Sequence, residues 1–388
     1  MKVSVITMHN FPNYGSVLQA YATQEKLREF SDDVEIVDYS GGDKMIGRGI
    51  TGFWLTGFGS DPIKALVRLP VRLWQRKVYG GFIRRYLNIT AKRYTTEEDF
   101  SKFPIHDGLY FTGSDQVWNP FFKETMPFFW GFLPDSARKF AFAASFGNHV
   151  EDRLSQEEIT RIKNLVGKYE QISVREERGL RILTEQLGYQ NAVQLVDPTL
   201  AMPPEFWRRL APTPGIKGEY ILVYKLGKSK SFEVAVKEVA RRTGLPLVRF
   251  CSQSLGQLAL RDGKKIVLPP VPRFISLIDN AKYIITDSFH GAAFAMNLNT
   301  ELIVYRKEYD GGRITGFLSI VGQERRYISN CNDLSVLDLP TDFYCVNRAL
   351  AQERKRVDDF LSEVFFDKDR DKNQTIEAVD TFLDLCRR

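Results

Sequence analysis

The residue with the clearest potential for chemistry is His290, one of only four histidines in 388 residues. An apolar run at 283–285 ends in Asp287 and Ser288, and Gly291 then opens a helical pattern of small residues. If Asp287 or Ser288 caps that helix, His290 lies in its first turn. The positive end of a helix disfavours an imidazolium, but a bound anion would raise the pKa of the ring again. The position therefore predicts a proton donor that works when an anionic ligand is bound.

Two other strand ends carry charged side chains. Arg175 stands between a short apolar strand and a helix, where a guanidinium can bind a phosphate or carboxylate through two parallel bonds. An internal ion pair with Glu176 or another carboxylate is the competing interpretation. Asp115 and Ser114 follow another strand, where they could bind a ligand hydroxyl or phosphate. Asp115 is a candidate base for a sugar hydroxyl, or it simply caps the following turn.

A fourth polar segment lies near the start of the chain. Asn13 and Gly15 are turn formers, and Ser16 is a candidate helix cap. The loop could cradle an anion, or it could be an ordinary capped connection between a strand and a helix.

The four polar segments stand at strand ends in a chain where strand-like and helix-like patterns alternate. That alternation predicts an α/β fold with parallel sheets covered on both faces. We expect two Rossmann-like domains, at 1–205 and 206–340, followed by C-terminal helices at 341–388. A basic helical insertion at about 45–105 interrupts the first domain. In such sheets the carboxyl ends of the strands bind ligands, so the four polar segments should lie together.

The net charge of +6 is concentrated in residues 63–93, which hold nine Lys or Arg and no Asp or Glu, leaving −3 for the rest. Apolar residues interleave with these cations. The pattern suits an anionic membrane face or a ligand that carries pyrophosphate, or a solvated helical pair that packs its apolar side on the core. We expect no nucleic-acid partner, because no known binding module appears.

The remaining composition indicates a cytoplasmic protein. Four single cysteines form no CxxC or Cys/His cluster, so we expect neither disulfides nor a metal site. The sequence shows no signal peptide and no apolar run of about 18 residues that would span a bilayer.

Together, the quoted segments resemble those of the polysaccharide pyruvyl transferase family. The matching pieces are NYGSVLQAYA, GSDQVWNP, AASFG, SVREERG, VDPTL and TDSFHGAAFAMNLNTELIVY, which span residues 1–305 in the family's order. A fainter match covers 311–322. GSDQVWNP together with TDSFHG is a specific combination.

The resemblance implies a fold similar to GT-B glycosyltransferases, with the C-terminal helices packing back on the first domain. It also implies transfer of pyruvate from phosphoenolpyruvate to two sugar hydroxyls as a cyclic ketal, without a cofactor, in assembly of bacterial exopolysaccharide or capsule. The phosphoenolpyruvate site would fall on Arg175, Ser288, Phe289 and His290. Some relatives carry arginine at the position of Ser288. We therefore add three candidate anion contacts, namely Lys225, Arg313 and Arg325.

We assign His290 as the acid and Asp115 as the candidate base of this reaction. The acceptor would lie against the first domain, and its candidate contacts are Asn13, Gly15, Ser16, Ser114, Asp115, Gln116 and Trp118. Trp118 could stack on a sugar face or pack in the core. A lipid-pyrophosphate-linked glycan at the inner face of the plasma membrane would explain the basic segment.

Two other functions fit the same residues. A nucleotide-sugar-dependent GT-B glycosyltransferase would use the basic helix ends and the histidine for a diphosphate. A non-catalytic glycan- or nucleotide-binding module would keep ligand affinity and show no turnover. Arg175, Asp115 and His290 at three separate strand ends favour an enzyme.

Overall fold

Short apolar runs form the strands of two parallel sheets, and the segments between them form the covering helices. The computed structural model describes residues 1–40, 62–106, 108–120, 125–147, 155–227, 229–252, 260–306, 312–330 and 333–366. The first part of the expected insertion, 45–61, and the end of the chain, 367–388, lie outside the described residues.

The first sheet has seven parallel strands in the order β3-β2-β1-β4-β5-β6-β7. Val3 at its centre is aligned with Val34 on one side and Leu109 on the other. The strands are β1 (Lys2–Ile6), β2 (Asp33–Tyr39), β3 (Ile89–Tyr94), β4 (Leu109–Thr112), β5 (Arg138–Ala144), β6 (Gln171–Val174) and β7 (Ala192–Gln194).

The second sheet has six parallel strands in the order β10-β9-β8-β11-β12-β13. Its central strands are continuous apolar runs, as expected for strands covered on both faces. The strands are β8 (Ile221–Tyr224), β9 (Leu247–Cys251), β10 (Lys264–Val267), β11 (Tyr283–Thr286), β12 (Glu301–Tyr305) and β13 (Tyr327–Ile328).

Helices connect the strands of each sheet and close the chain. They are α1 (Tyr14–Arg28), α2 (Pro62–Tyr86), α3 (Glu97–Lys102), α4 (Gln156–Val166), α5 (Glu177–Arg181), α6 (Pro198–Ala201), α7 (Pro204–Leu210), α8 (Lys230–Thr243), α9 (Val271–Asp279), α10 (Phe289–Leu298), α11 (Arg313–Ile320) and α12 (Phe343–Phe366). Among the described residues, none of the helices combines the length and apolar character needed to cross a bilayer.

Each sheet reverses its strand order at one point, between β1 and β4 in the first and between β8 and β11 in the second. Loops that leave neighbouring strands at such a point turn to opposite faces and open a crevice. The predicted site residues Asn13 and Asp115 follow β1 and β4, and Ser288 and His290 follow β11. The topology therefore places them at the two crevices.

Local capping fixes the two helices that border these crevices. The Asn13 side chain accepts hydrogen bonds from the backbone N–H groups of Gly15 (2.8 Å) and Ser16 at the start of α1. Ser288 caps α10 by accepting from the N–H of Gly291 at 3.3 Å. A Cβ at Gly291 would come within 2.7 Å of the Thr286 hydroxyl, so glycine allows α10 to begin directly against β11.

The apolar core runs continuously from one domain into the other. Tyr14, at the start of α1, makes ring contacts with Tyr79 of α2 and with Phe250 and Phe274 of the second domain. Its hydroxyl donates to the Pro269 carbonyl at 2.7 Å. These buried contacts hold the two sheets in one relative position.

The C-terminal helix α12 returns to the first domain, as the resemblance implies. Phe365 stacks on Phe30 and Phe111 of that domain. Arg354 of α12 donates to the side-chain oxygen of Asn297 at 2.8 Å. Asn297 is buried in α10 and in turn donates to two carbonyls beside α6. One side chain thus links α10, α12 and the end of the first domain.

The basic segment differs from a solvated helical pair. It forms one long helix, α2, whose residues Tyr79, Phe82 and Ile83 are buried in the core. The segment then ends in strand β3, an edge strand that its polar sequence did not predict.

The Asn297 linkage predicts a large loss of stability on truncation. Asn297→Ala leaves two buried carbonyls and the Arg354 guanidinium without the hydrogen bonds that Asn297 makes. The free energy of unfolding should therefore fall by about 2–4 kcal/mol. Asn280→Ala is the matched control, because the Asn280 side chain is exposed and bonds only to its own helix. Urea unfolding measures both. Equal small losses in the two variants would contradict the linkage.

Candidate active site between the two sheets

A cavity of about 390 Å³ lies where the carboxyl ends of the two sheets face each other. Both domains supply its wall, so neither domain alone forms it. The residues that line it are Met8, Phe11, Asn13, Ser16, Asp115, Gln116, Arg175, Leu226, Gly227, Asp287, Ser288, Phe289, His290, Arg306 and Arg313. The volume falls within the range of small-molecule sites.

His290 occupies the first turn of α10, as predicted, and its imidazole crosses to the first domain. A Cβ at Gly15 would come within 2.1 Å of the ring atom Nδ1, so the backbone of α1 packs directly against the imidazole. On the other side of the ring, Nε2 lies 3.8 Å from a carboxylate oxygen of Asp197. Among the described residues, no hydrogen-bond partner reaches this buried Nε2. The ring is therefore fixed in place while Nε2 keeps its capacity to bond a ligand.

The protonation state of His290 depends on its surroundings. Burial lowers the pKa of His290 below its ordinary value, and Asp197 and Asp115 offset only part of that effect. The positive charges of Arg175 and Arg313 lower the pKa further. The imidazole is consequently neutral at neutral pH in the free protein, and a ligand that adds negative charge would favour its protonation.

Arg175 is buried at the end of β6 between two carboxylates. It donates to Glu176 at 2.9 Å and to Asp197 at 2.8 Å, so the internal ion pair considered from the sequence is present. Burial opposes its charge, but Glu176, Asp197 and Asp115 raise its pKa above the ordinary value. The guanidinium also lies over the ring of Phe289, 4.5 Å from its centroid, and borders the cavity. Arg175 is thus paired with two carboxylates and still borders the cavity.

The buried carboxylate of Asp197 accepts hydrogen bonds from three residues, Arg175, Ser114 and Thr199. One carboxylate oxygen accepts from Arg175 and, at 3.1 Å, from the Ser114 hydroxyl. The other accepts from the backbone N–H and hydroxyl of Thr199. Burial opposes ionisation of Asp197, yet the charge of a protonated His290, the Arg175 guanidinium and the Thr199 N–H hold its pKa below the ordinary value. Asp197 is therefore a charged anchor for Arg175 and would stabilise His290 once its imidazole is protonated.

Asp115 belongs to the first-domain wall and has an unusual backbone conformation. Its φ of 70° is in the left-handed region, which costs a non-glycine residue about 1–3 kcal/mol. One carboxylate oxygen accepts from the Ser16 hydroxyl at 2.6 Å, and the other accepts from the N–H of Gln116. Asp115 thus caps its own turn, as one sequence interpretation held, and it also faces the cavity.

Cations and a helix end dominate the second-domain wall. Arg306 and Arg313 line the cavity beside the start of α10. Asp287 also lines the cavity, but its carboxylate is already occupied, because it accepts from the backbone N–H groups of Leu226 and Gly227 at 2.7 Å each. The wall therefore presents positive charge and the N–H groups of a helix terminus, which suit an anion.

The structure brings most of the sequence-predicted residues to the cavity, but not all of them. Trp118 is buried and stacks on Phe129, so it belongs to the core. Ser114 is buried behind the wall as a donor to Asp197. The Lys225 ammonium pairs with Glu233 at 2.8 Å, and Arg325 donates to the Pro340 carbonyl at the surface. None of these four residues lines the cavity.

Among the charged residues of this site, sequence reasoning missed Arg306 and Asp197. Arg306 directly follows β12, beside β11 in the sheet, so the rule that identified the other strand ends also applies to it. Asp197 follows β7 and precedes a proline at the start of α6, which is a typical capping position. Its sequence signal therefore indicated a cap and gave no sign of the contact with Arg175.

Metal ligands form no cluster in the described part of the chain, where no group of three His, Cys, Asp or Glu side chains is placed to hold an ion. The expectation of a reaction without metal or cofactor stays a prediction.

Two Rossmann-like domains with one cavity between their carboxyl edges define the GT-B-like class of folds. Within that class, the chain belongs to the polysaccharide pyruvyl transferase family, because the family's model matches residues 13–306. The match contains every residue that lines the cavity except Met8, Phe11 and Arg313. No sequence among the curated proteins matches the chain.

Solved structures support the fold. MnaA of S. aureus, solved with UDP, superposes with a TM-score of 0.56 at 10% identity, over 94% of this chain and 97% of that chain. The UDP-GlcNAc 2-epimerase of Neisseria meningitidis gives a TM-score of 0.52 at 11% identity, over 94% and 100%. At these identities the likeness concerns the arrangement of the two domains alone.

The buried pair of Arg175 and Asp197 predicts that neutralising Asp197 lowers the stability of the protein. Asp197→Asn leaves the Arg175 charge without its full counter-charge, so the protein should lose about 3–5 kcal/mol of stability. It should also lower the pKa of His290 further, because a carboxylate that raises it is gone. Asp279→Asn is the control, since it removes the half-exposed pair with Arg208, which contributes about 0–1 kcal/mol. Equal losses in urea unfolding would contradict this account.

Proposed function

We propose that the protein transfers pyruvate from phosphoenolpyruvate to two hydroxyls of a sugar as a cyclic ketal and releases phosphate. Membership of the family supports the reaction class. The observation that carries the proposal is His290, with its buried and unpartnered Nε2, in a cavity bordered by Arg175, Arg306 and Arg313. An acid beside a cationic pocket is what protonation of an anionic enol phosphate requires.

The anion would be held by the second-domain wall. Arg306, Arg313 and the start of α10 face the cavity and suit a phosphate. Arg175 also lines the cavity and suits the carboxylate of the same ligand. Ser288 caps α10, and it cannot supply the charge that arginine gives some relatives at this position. Arg313, expected from the sequence, and Arg306 would replace that charge.

Binding of the anion would prepare the acid. The free imidazole is neutral because burial and two arginines lower its pKa. A bound phosphoenolpyruvate adds negative charge beside the ring, raises the pKa and brings a proton to Nε2. His290 then gives that proton to the CH2 carbon, which becomes the methyl group and leaves C2 as an oxocarbenium-like electrophile.

The acceptor would enter from the first-domain wall. A sugar hydroxyl adds to C2 and gives up its proton, for which Asp115 is the candidate base. The second hydroxyl then displaces phosphate, which leaves with its bridging oxygen and takes up the proton of that hydroxyl, and the ketal closes. Asn13, Ser16 and Gln116 border the same space and would position the sugar. Gly15 contributes by letting His290 approach.

The cellular setting is part of the proposal. We place the reaction in the cytoplasm, with peripheral contact at the inner face of the plasma membrane, in assembly of a bacterial surface polysaccharide. The exposed Leu73 and Trp74 on the basic helix α2 support such a contact, because exposed apolar side chains among cations suit an anionic interface.

The test is consumption of phosphoenolpyruvate against a panel of sugar precursors, with products read by mass. The proposal predicts phosphate release and a pyruvylated sugar. His290→Gln, which keeps a polar side chain of similar reach, should lower turnover roughly 100- to 10,000-fold. It should still bind phosphoenolpyruvate, because the arginines remain.

The same panel separates the alternatives. Release of a nucleoside diphosphate from a nucleotide sugar, with phosphoenolpyruvate untouched, would establish a glycosyltransferase instead. Binding without turnover of any acceptor would indicate a binding module. Near-wild-type turnover by His290→Gln would remove His290 from the mechanism while leaving the reaction class intact.

A further inference from the structure

A second cavity, of about 680 Å³, lies apart from the candidate active site, between helix α2 and the edge strand β10 with the start of α9. We call it the α2 groove. One wall comes from the first domain and the other, at 264–273, from the second. Its volume is within the range of ligand sites.

The α2 wall is one continuous stripe of the helix. It consists of Trp74, Lys77, Val78, Gly81, Phe82, Arg85 and Tyr86. Their spacing of three and four residues puts them on a single face. Gly81 lies in the middle of that face, and a Cβ there would meet no atom within 4 Å. Glycine therefore leaves the centre of the groove open.

The charged residues of the groove all have one sign. They are Lys77, Arg85, Lys264, Lys265 and Arg273. The described residues provide no carboxylate that pairs with Lys77, Arg85, Lys264 or Lys265. Arg273 stands in the first turn of α9, where a cation is unfavourable unless an anion is also present. The groove is thus complementary to a compact, multiply charged anion.

The rest of the lining is apolar. Val78 and Phe82 face Ile266 and Val271 across the groove. Pro269, Pro270 and Pro272 form part of its edge and have no backbone N–H to offer a ligand. These apolar parts of the walls suit an aliphatic chain. Cations combined with such walls therefore fit an amphiphile with an anionic head.

The groove adjoins an exposed stretch in the middle of α2 and comes close to the first-domain wall of the active site. Trp74 lines it while 48% exposed, and the neighbouring Leu73 is 51% exposed. The Pro269 carbonyl of its lining accepts from Tyr14, which directly follows Asn13 of the active-site wall. Tyr14 thus lies between the groove and the candidate active site.

We infer that the α2 groove binds the lipid pyrophosphate of a lipid-linked sugar acceptor, with its first chain segments against the apolar walls. The inference rests on the proposed function for the identity of the attached sugar. Binding of the lipid pyrophosphate itself follows from the groove alone and can be measured without turnover.

The experiment uses farnesyl pyrophosphate as the probe and inorganic pyrophosphate as the headgroup control, with the full chain and calorimetric titration. Lys77→Glu/Arg85→Glu reverses two charges that line the groove. Arg76→Glu/Arg84→Glu reverses two neighbouring exposed charges of the same helix that do not line it. We expect the first pair to weaken farnesyl pyrophosphate binding at least about tenfold and the second to leave it nearly unchanged.

Gly81→Leu tests the apolar part of the groove. Leucine favours a helix more than glycine does, and its Cβ meets nothing, so the variant should fold. It should lose affinity for farnesyl pyrophosphate and keep the affinity for inorganic pyrophosphate. Transfer of pyruvate to a lipid-free sugar should be unchanged in all these variants, because none of the substituted residues borders the active site.

Three outcomes would overturn the inference. They are no binding of the probe to the wild-type chain, equal weakening by both charge-reversal pairs, and unchanged binding by Gly81→Leu. Equal weakening would show attraction to a basic surface instead of a site. Failure of phosphoenolpyruvate turnover with intact probe binding would defeat the proposed function and leave the groove in place.

Discussion

The buried carboxylate of Asp197 is the interaction on which the site depends. It pairs with Arg175 at 2.8 Å and lies 3.8 Å from Nε2 of His290, which the other domain supplies. A charge at this depth is stable only with partners, and Arg175, Ser114 and Thr199 provide them. The ionised Asp197 holds one cation permanently and partly offsets the burial of His290. A neutral residue here would remove both effects.

The position of His290 also requires close contact between the two domains. The His290 ring packs against the bare backbone of Gly15, so the two sheets must keep a fixed distance. The aromatic contacts around Tyr14 and the return of α12 provide that rigidity. The α2 groove lies across the same domain boundary, and Tyr14 donates to the carbonyl of Pro269 in its lining. The candidate active site and the α2 groove thus both lie at the contact between the two domains.

Local sequence rules predict the parts of the site whose signals are local. An apolar run, a capping serine and small residues suffice to place His290 in the first turn of α10, and the alternation of strands and helices predicts parallel sheets. Trp118 has no such signal, because an irregular loop does not reveal which face is buried. The Arg175 pair joins residues 22 positions apart on different strands, so only the register of β6 and β7 brings them together. Edge strand β3 is polar and depends on pairing with β2.

The central claim is that His290 is neutral in the free protein and becomes protonated when phosphoenolpyruvate binds. Nitrogen NMR of histidine-labelled protein at neutral pH tests it directly, with His290→Gln assigning the signal among four histidines. The account predicts a neutral imidazole without ligand, as the lowered pKa requires, and an imidazolium after phosphoenolpyruvate is added. A His290 signal that stays neutral in the saturated complex would contradict it.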